Sequence, residues 1–184
     1  FKKPLIIYHF GHKDIDSTAI NFKTDFILEE NSSLCVINIL KNYSNNNFIN
    51  LSDQFKIGKN ANLKNYKIDF EENSNINYFF TNIDLDTNSN SETFIYSSGS
   101  RFFKNEINCN LNDKYGSAFI SGIISLNESK HHEIKTNINH ISENTKSYQL
   151  IKSVLKDSSK GIFQGKIFVD QKAQKTDGYQ LSKA

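Results

Sequence analysis

The sequence predicts an all-β fold, and within that class a parallel β-helix with two long strands per turn. Three observations carry the expectation. The 184 residues include 23 Ile, 15 Phe and 8 Tyr, types that favour strands. Apolar and polar residues alternate with period two in segment after segment. The segments also recur at a steady short interval, with centres near residues 37, 51, 66, 80, 95, 107, 121, 135, 151, 165 and 179. The steps run from 12 to 16 residues and are mostly 14, so no helix of ordinary length fits between neighbouring strands.

Each segment supports this in turn. In 33–40, Leu34, Val36 and Asn38 alternate with Cys35, Ile37 and Ile39. Strand-like runs follow at 61–70, 76–85 and 92–98. In 101–111, Phe103, Ile107, Cys109 and Leu111 share one face, and Lys104, Glu106, Asn108 and Asn110 the other. Further runs occupy 117–126, 131–140, 147–155 and 161–169. Residues 145–156 stay open between strand and helix, because Tyr148, Ile151, Val154 and Leu155 also fit a helical stripe. Breaks such as Asn45-Asn46-Asn47 and Asn88-Ser89-Asn90 carry turn residues.

A sandwich or up-and-down barrel would share the short period but needs hairpins. Asn-Gly pairs are missing, and the one Asp-Gly, Asp177-Gly178, lies inside the last segment. A coil of about 28 residues per turn fits better, with inward side chains stacked in columns and turn Asn residues in amide ladders. The 25 Asn and the excess of 21 Lys over one Arg read as the bias of an AT-rich genome.

Composition narrows the function classes. The net charge of +2 and the single Arg101 speak against a nucleic-acid partner, because phosphate and guanine recognition relies on Arg. No apolar run is long enough for a membrane span. The chain lacks Met and starts at Phe1, which predicts a piece of a longer protein. Two Cys, far apart, predict no disulfide scaffold and a reducing, cytoplasm-like compartment. Four Asn-x-Ser matches, at Asn31, Asn42, Asn50 and Asn127, are what this much Asn and Ser produces by chance. Residues 66–96 carry five more acids than bases, and residues 146–184 five more Lys than Asp. The asymmetry reads as two differently solvated surfaces, with a polarised partner surface at the basic end as the sharper alternative.

No motif assigns chemistry. The run Gly161-Ile162-Phe163-Gln164-Gly165-Lys166 has one residue too few between its glycines for a phosphate loop, and Ile167 stands where Ser or Thr is needed. It reads as a strand, which predicts no ATPase activity. His131, His132, Glu133 and His140 are the one cluster of metal-ligand types. Along an extended strand His132 and His140 lie roughly 26 Å apart, and His131 and His132 point to opposite faces. They read as surface or turn histidines, and His9 and His12 fare no better as ligands. Cys35 and Cys109 read as buried thiols.

Several stretches of the second half follow in order: Asn105-Glu106-Ile107-Asn108, Gly116-Ser117-Ala118, His132 with Thr136, Ile138 and His140, Lys152 with Val154 and Leu155, Gly161 with Phe163, Gly165, Lys166 and Ile167, and the closing run from Ala173 to Ala184. This series resembles the SufB/SufD family of iron–sulfur cluster assembly proteins. Lys175-Thr176-Asp177-Gly178-Tyr179-Gln180, with no Cys after Cys109, is similar to the SufD branch. The resemblance implies a right-handed parallel β-helix, with residues 1–184 as a single core domain whose flanking helical regions lie outside the chain. It implies a non-ATPase scaffold subunit that pairs with a SufB-like paralogue through the β-helix. A SufC-like ATPase would dock on regions outside the chain. No cofactor is expected to reside here, the cluster being assembled transiently by the whole complex in a cytoplasm or plastid-type stroma. The family's Cys/His segment at the cluster interface falls beyond Ala184, so no catalytic, cofactor-binding or metal-binding residue is assigned. The alternative is a β-helix carbohydrate-active or carbohydrate-binding domain, for which one Arg is a poor fit.

Overall fold

The computed structural model describes residues 3–11, 14–42 and 45–184. Among them lie thirteen strands and no helix: β1 (Leu5–Gly11), β2 (Ala19–Leu28), β3 (Ser33–Asn42), β4 (Phe48–Ile57), β5 (Asn62–Asp69), β6 (Asn73–Leu85), β7 (Asn90–Ser97), β8 (Ser100–Leu111), β9 (Ser117–Leu126), β10 (His131–His140), β11 (Lys146–Leu155), β12 (Lys160–Val169) and β13 (Asp177–Lys183). The odd strands form one seven-stranded sheet and the even strands a second of six. Every pairing is parallel. Successive strands therefore alternate between two facing sheets, which is a parallel β-helix of about six turns with two strands per turn.

Register partners lie 26 residues apart at the tightest, Ile76 with Phe102, and 31 at the widest, Leu5 with Val36. The expected turn of about 28 falls inside that range. Two strands, β1 and β2, precede the first segment read from the sequence. In β2, Thr24 takes the inward position opposite Asp53, which breaks the apolar face that would have revealed the strand. Residues 146–155 are strand β11 and not helix. Ile151 is buried, whereas Tyr148 and Val154 are exposed, so the apparent helical stripe is split between two faces of a strand.

Alternation decides what is buried. Phe103, Ile107, Cys109 and Leu111 all point inward and are fully buried, as their shared face predicts. Aromatic rings stack along the columns, Phe26 on Phe55 at 4.6 Å and Phe79 edge-on to Phe103 at 5.2 Å. Where chain meets chain at a corner, side chains are excluded. A Cβ on Gly99 would lie 2.3 Å from the carbonyl oxygen of Glu71, so only Gly fits there.

The Asn-rich corners have a structural cause. Asn31, Asn60, Asn88 and Asn144, each following an even strand, have φ between 53° and 61°. Asn tolerates this left-handed conformation better than most residues. Its amide then bonds the next rung: Asn60 Nδ2 donates to Asn31 Oδ1 at 3.0 Å, and Asn88 Nδ2 to Asn60 Oδ1 at 2.7 Å. A second set of ladders covers the outer face of the even sheet. There Asn137 donates to Asn108, Asn139 to Asn110, and Asn110 to the Asp84 carboxylate.

Candidate functional site

The space between the sheets is not uniformly apolar. Lys67 of β5 and Asp53 of β4 point inward and are almost wholly buried. Lys67 Nζ donates to Asp53 Oδ2 at 2.6 Å and lies 5.1 Å from the Phe79 ring centroid. Inward positions of the same strand and of the neighbouring rungs hold Asn65, Thr81, Thr93 and Asn105. Both amide atoms of Asn65 and of Asn105, and both threonine hydroxyls, are buried without a protein partner. This stretch of the interior can still donate and accept hydrogen bonds.

A second polar cluster sits at the corner between β7 and β8. His132 accepts the Ser97 hydroxyl through Nδ1. With Nε2 protonated, it donates to the Ser100 carbonyl at 2.7 Å. Ser100 in turn donates its hydroxyl and its N–H to Asp69 Oδ2, at 2.7 and 3.2 Å. Further along β10, His140 bonds the Thr145 and Ser147 hydroxyls at 2.7 and 2.9 Å. Burial lowers the pKa of His132 to about 4 and also lowers that of His140. Burial raises the Asp69 pKa to about 6, against the hydrogen bonds from Ser100.

These shifts make a pH prediction. Neutral Asp69 contributes stability that is complete below pH 3.8 and lost as pH rises through about 6. Neutral His132 contributes stability that is complete above pH 6.5 and lost as pH falls through about 4. The two slopes oppose each other over the same interval. Asp69→Asn removes the first, so the variant should lose about 2 kcal/mol relative to wild type between pH 6.5 and pH 4. Urea unfolding at both pH values checks this, and parallel profiles for the two proteins would refute it.

The structure corrects two readings of the sequence. His132 and His140 are fully buried interior residues and not surface or turn histidines. The phase of β10 explains why, because Ile134, Thr136 and Ile138 share their inward face. His131 does lie on the outer face, where its Nε2 is 2.9 Å from Glu133 and its ring packs on Phe102. Cys35 is only half-buried, because it alternates outward against inward Val36. Cys109 is buried, and burial pushes its thiol up to about 12, so it is not a thiolate donor at neutral pH. The Gly161–Lys166 run lies in strand β12. His12 lies outside the described residues, and His9 donates to Asn38 Oδ1 at 3.1 Å through Nε2. Among the described residues no three His, Cys, Asp or Glu side chains gather as a metal site.

A parallel β-helix with a continuous two-sheet core and these polar interior rungs is the setting for one comparison. The model of the SufBD core domain, of the SUF system for FeS cluster assembly, matches residues 11–184. The chain belongs to the SufB/SufD family. No curated protein matches it. As a SufBD core domain it serves iron–sulfur cluster assembly, and its partners lie within the SUF system. The polar side chains of this SufBD core were missed by motif reading because no motif contains them. Lys67 and Asp53 lie 14 residues apart and meet only across the two sheets.

Proposed function

We propose that the chain is the core of a SufD-type subunit, a non-ATPase scaffold that pairs with a SufB-like paralogue and works with a SufC-like ATPase. The observation that carries this reading is the closing run Lys175-Thr176-Asp177-Gly178-Tyr179-Gln180 together with the lack of any Cys after Cys109. On this reading the iron–sulfur cluster is cargo of the whole assembly, and the subunit works in a cytoplasm or plastid-type stroma.

Co-expression of the tagged chain, in its native protein, with SufB-like and SufC-like proteins tests the assignment. A complex containing all three is expected. A complex in which the chain displaces the SufB-like protein would overturn it. The isolated chain should also give no heat of ATP binding by calorimetry, and micromolar binding would contradict the non-ATPase role.

A further inference from the structure

The two outer faces of the β-helix differ in kind. On the even sheet the central columns are amides and charges, with Asn82, Asn108 and Asn137 in one register and Asp84, Asn110 and Asn139 in the next. On the odd sheet the corresponding outward columns are apolar. Ile37, Tyr66 and Phe94 align in one, and Ile39, Ile68 and Tyr96 in the other. The first column runs from Ile6 to Leu181 across seven strands and is apolar in all but β9, where Ser121 takes the position. At about 4.8 Å per strand it is roughly 29 Å long. Isolated surface apolar residues are ordinary, but six apolar residues aligned in one column, beside Tyr8, Ile39, Ile68, Tyr96 and Ile123 in the next, mark an interaction surface.

We propose that this odd-sheet face is the docking surface for an amphipathic α-helix of a partner polypeptide, with acidic residues flanking its apolar stripe. Strands within the sheet already bond their neighbours, so the face offers side chains and no free backbone. Helices are the usual cover for apolar faces of parallel sheets. A helix of about 19 residues matches the columns in length. Charge fixes the partner's sign. Lys64 is paired with Glu92 at 3.6 Å, but Lys152 and Lys183 stand side by side in register on this face with no ion-pair partner among the described residues. A second copy of the chain is a poor occupant. Parallel stacking would oppose the lysines, and antiparallel stacking would bury them against Ile6 and Tyr8 of β1. The proposal holds for a SufB-type or a SufD-type chain alike, so its failure leaves the subunit assignment standing.

Cys35 supplies a reporter, since it lies on this face beside Ile37 while Cys109 is buried. The chain is labelled at Cys35 with an environment-sensitive maleimide and titrated with two synthetic 19-residue helices. They share one leucine stripe and carry either Glu or Lys flanks. The Glu helix should bind saturably at one per chain, about tenfold tighter than the Lys helix. Phe94→Asp should abolish binding with an unchanged circular dichroism spectrum. Lys152→Glu with Lys183→Glu, both outward and unpaired, should invert the preference without touching the core. Equal binding of both helices, binding of neither, or an unaltered preference in the double-charge variant would overturn the proposal. So would a dimer in sedimentation that Phe94→Asp dissociates.

Discussion

Replacing Ile124 with Asp should unfold the chain. Ile124 is fully buried in β9, in register between Ser97 and Ser153. A Cβ on Gly161 of the opposite sheet would lie 3.4 Å from its Cγ2, so the side chain is packed from both sheets. His132, hydrogen-bonded to the register neighbour Ser97, is held neutral at pH 7 by its burial. An unpaired buried charge costs several kcal/mol, against a total stability of about 5–15 kcal/mol for a domain. The position is also central. In a solenoid each rung rests only on its neighbours, so a broken rung separates the two halves. Urea denaturation followed by circular dichroism reads the result. Ile124→Val should cost only about 1 kcal/mol, and a native midpoint for the Asp variant would refute the packing argument.

The second large effect concerns Lys67. Lys67→Ala should destabilise by about 3–5 kcal/mol, because it strands the Asp53 carboxylate in the interior. Replacing both partners together, Lys67→Met with Asp53→Leu, should restore stability to within about 1 kcal/mol of wild type or exceed it. A double-mutant cycle by chemical denaturation separates the two outcomes. Additive losses would show that the 2.6 Å pair carries no coupling. If the apolar double variant folds well but fails in iron–sulfur cluster assembly, the pair serves the interior's polarity rather than the fold.

The architecture was legible because its signal is periodic. Phe103, Ile107, Cys109 and Leu111 announce an inward face, and a strand near every fourteenth residue leaves room for corners but not for helices. The same regularity hid other features. His132 and His140 stand at strand ends, where residue type suggests a turn, and only their phase with Ile134 and Ile138 places them inside. Cys35 follows the same rule in the other direction. The Lys67–Asp53 pair and the Ser97–His132–Ser100–Asp69 chain join residues from different strands, so no local pattern marks them. The interior polarity was thus the least readable part of the molecule, and the contrast between its two outer faces needed the register to be seen.

The amide ladders share one direction. Asn60 donates to Asn31, Asn88 to Asn60, Asn137 to Asn108 and Asn139 to Asn110, so in each of these Asn–Asn bonds the later rung gives the hydrogen and the earlier rung receives it. Aligned amides add their dipoles, as peptide units do in a helix. Each ladder therefore has a positive end toward β2 and a negative end toward β12. The charges on the even face match this polarity. Asp84 accepts from Asn110 at the positive end of its ladder, and Lys166 follows Asn137 in register at the negative end of the neighbouring one. The outer wall of the even sheet behaves as a set of small parallel dipoles, one capped by a carboxylate at its positive end and its neighbour by an ammonium at its negative end.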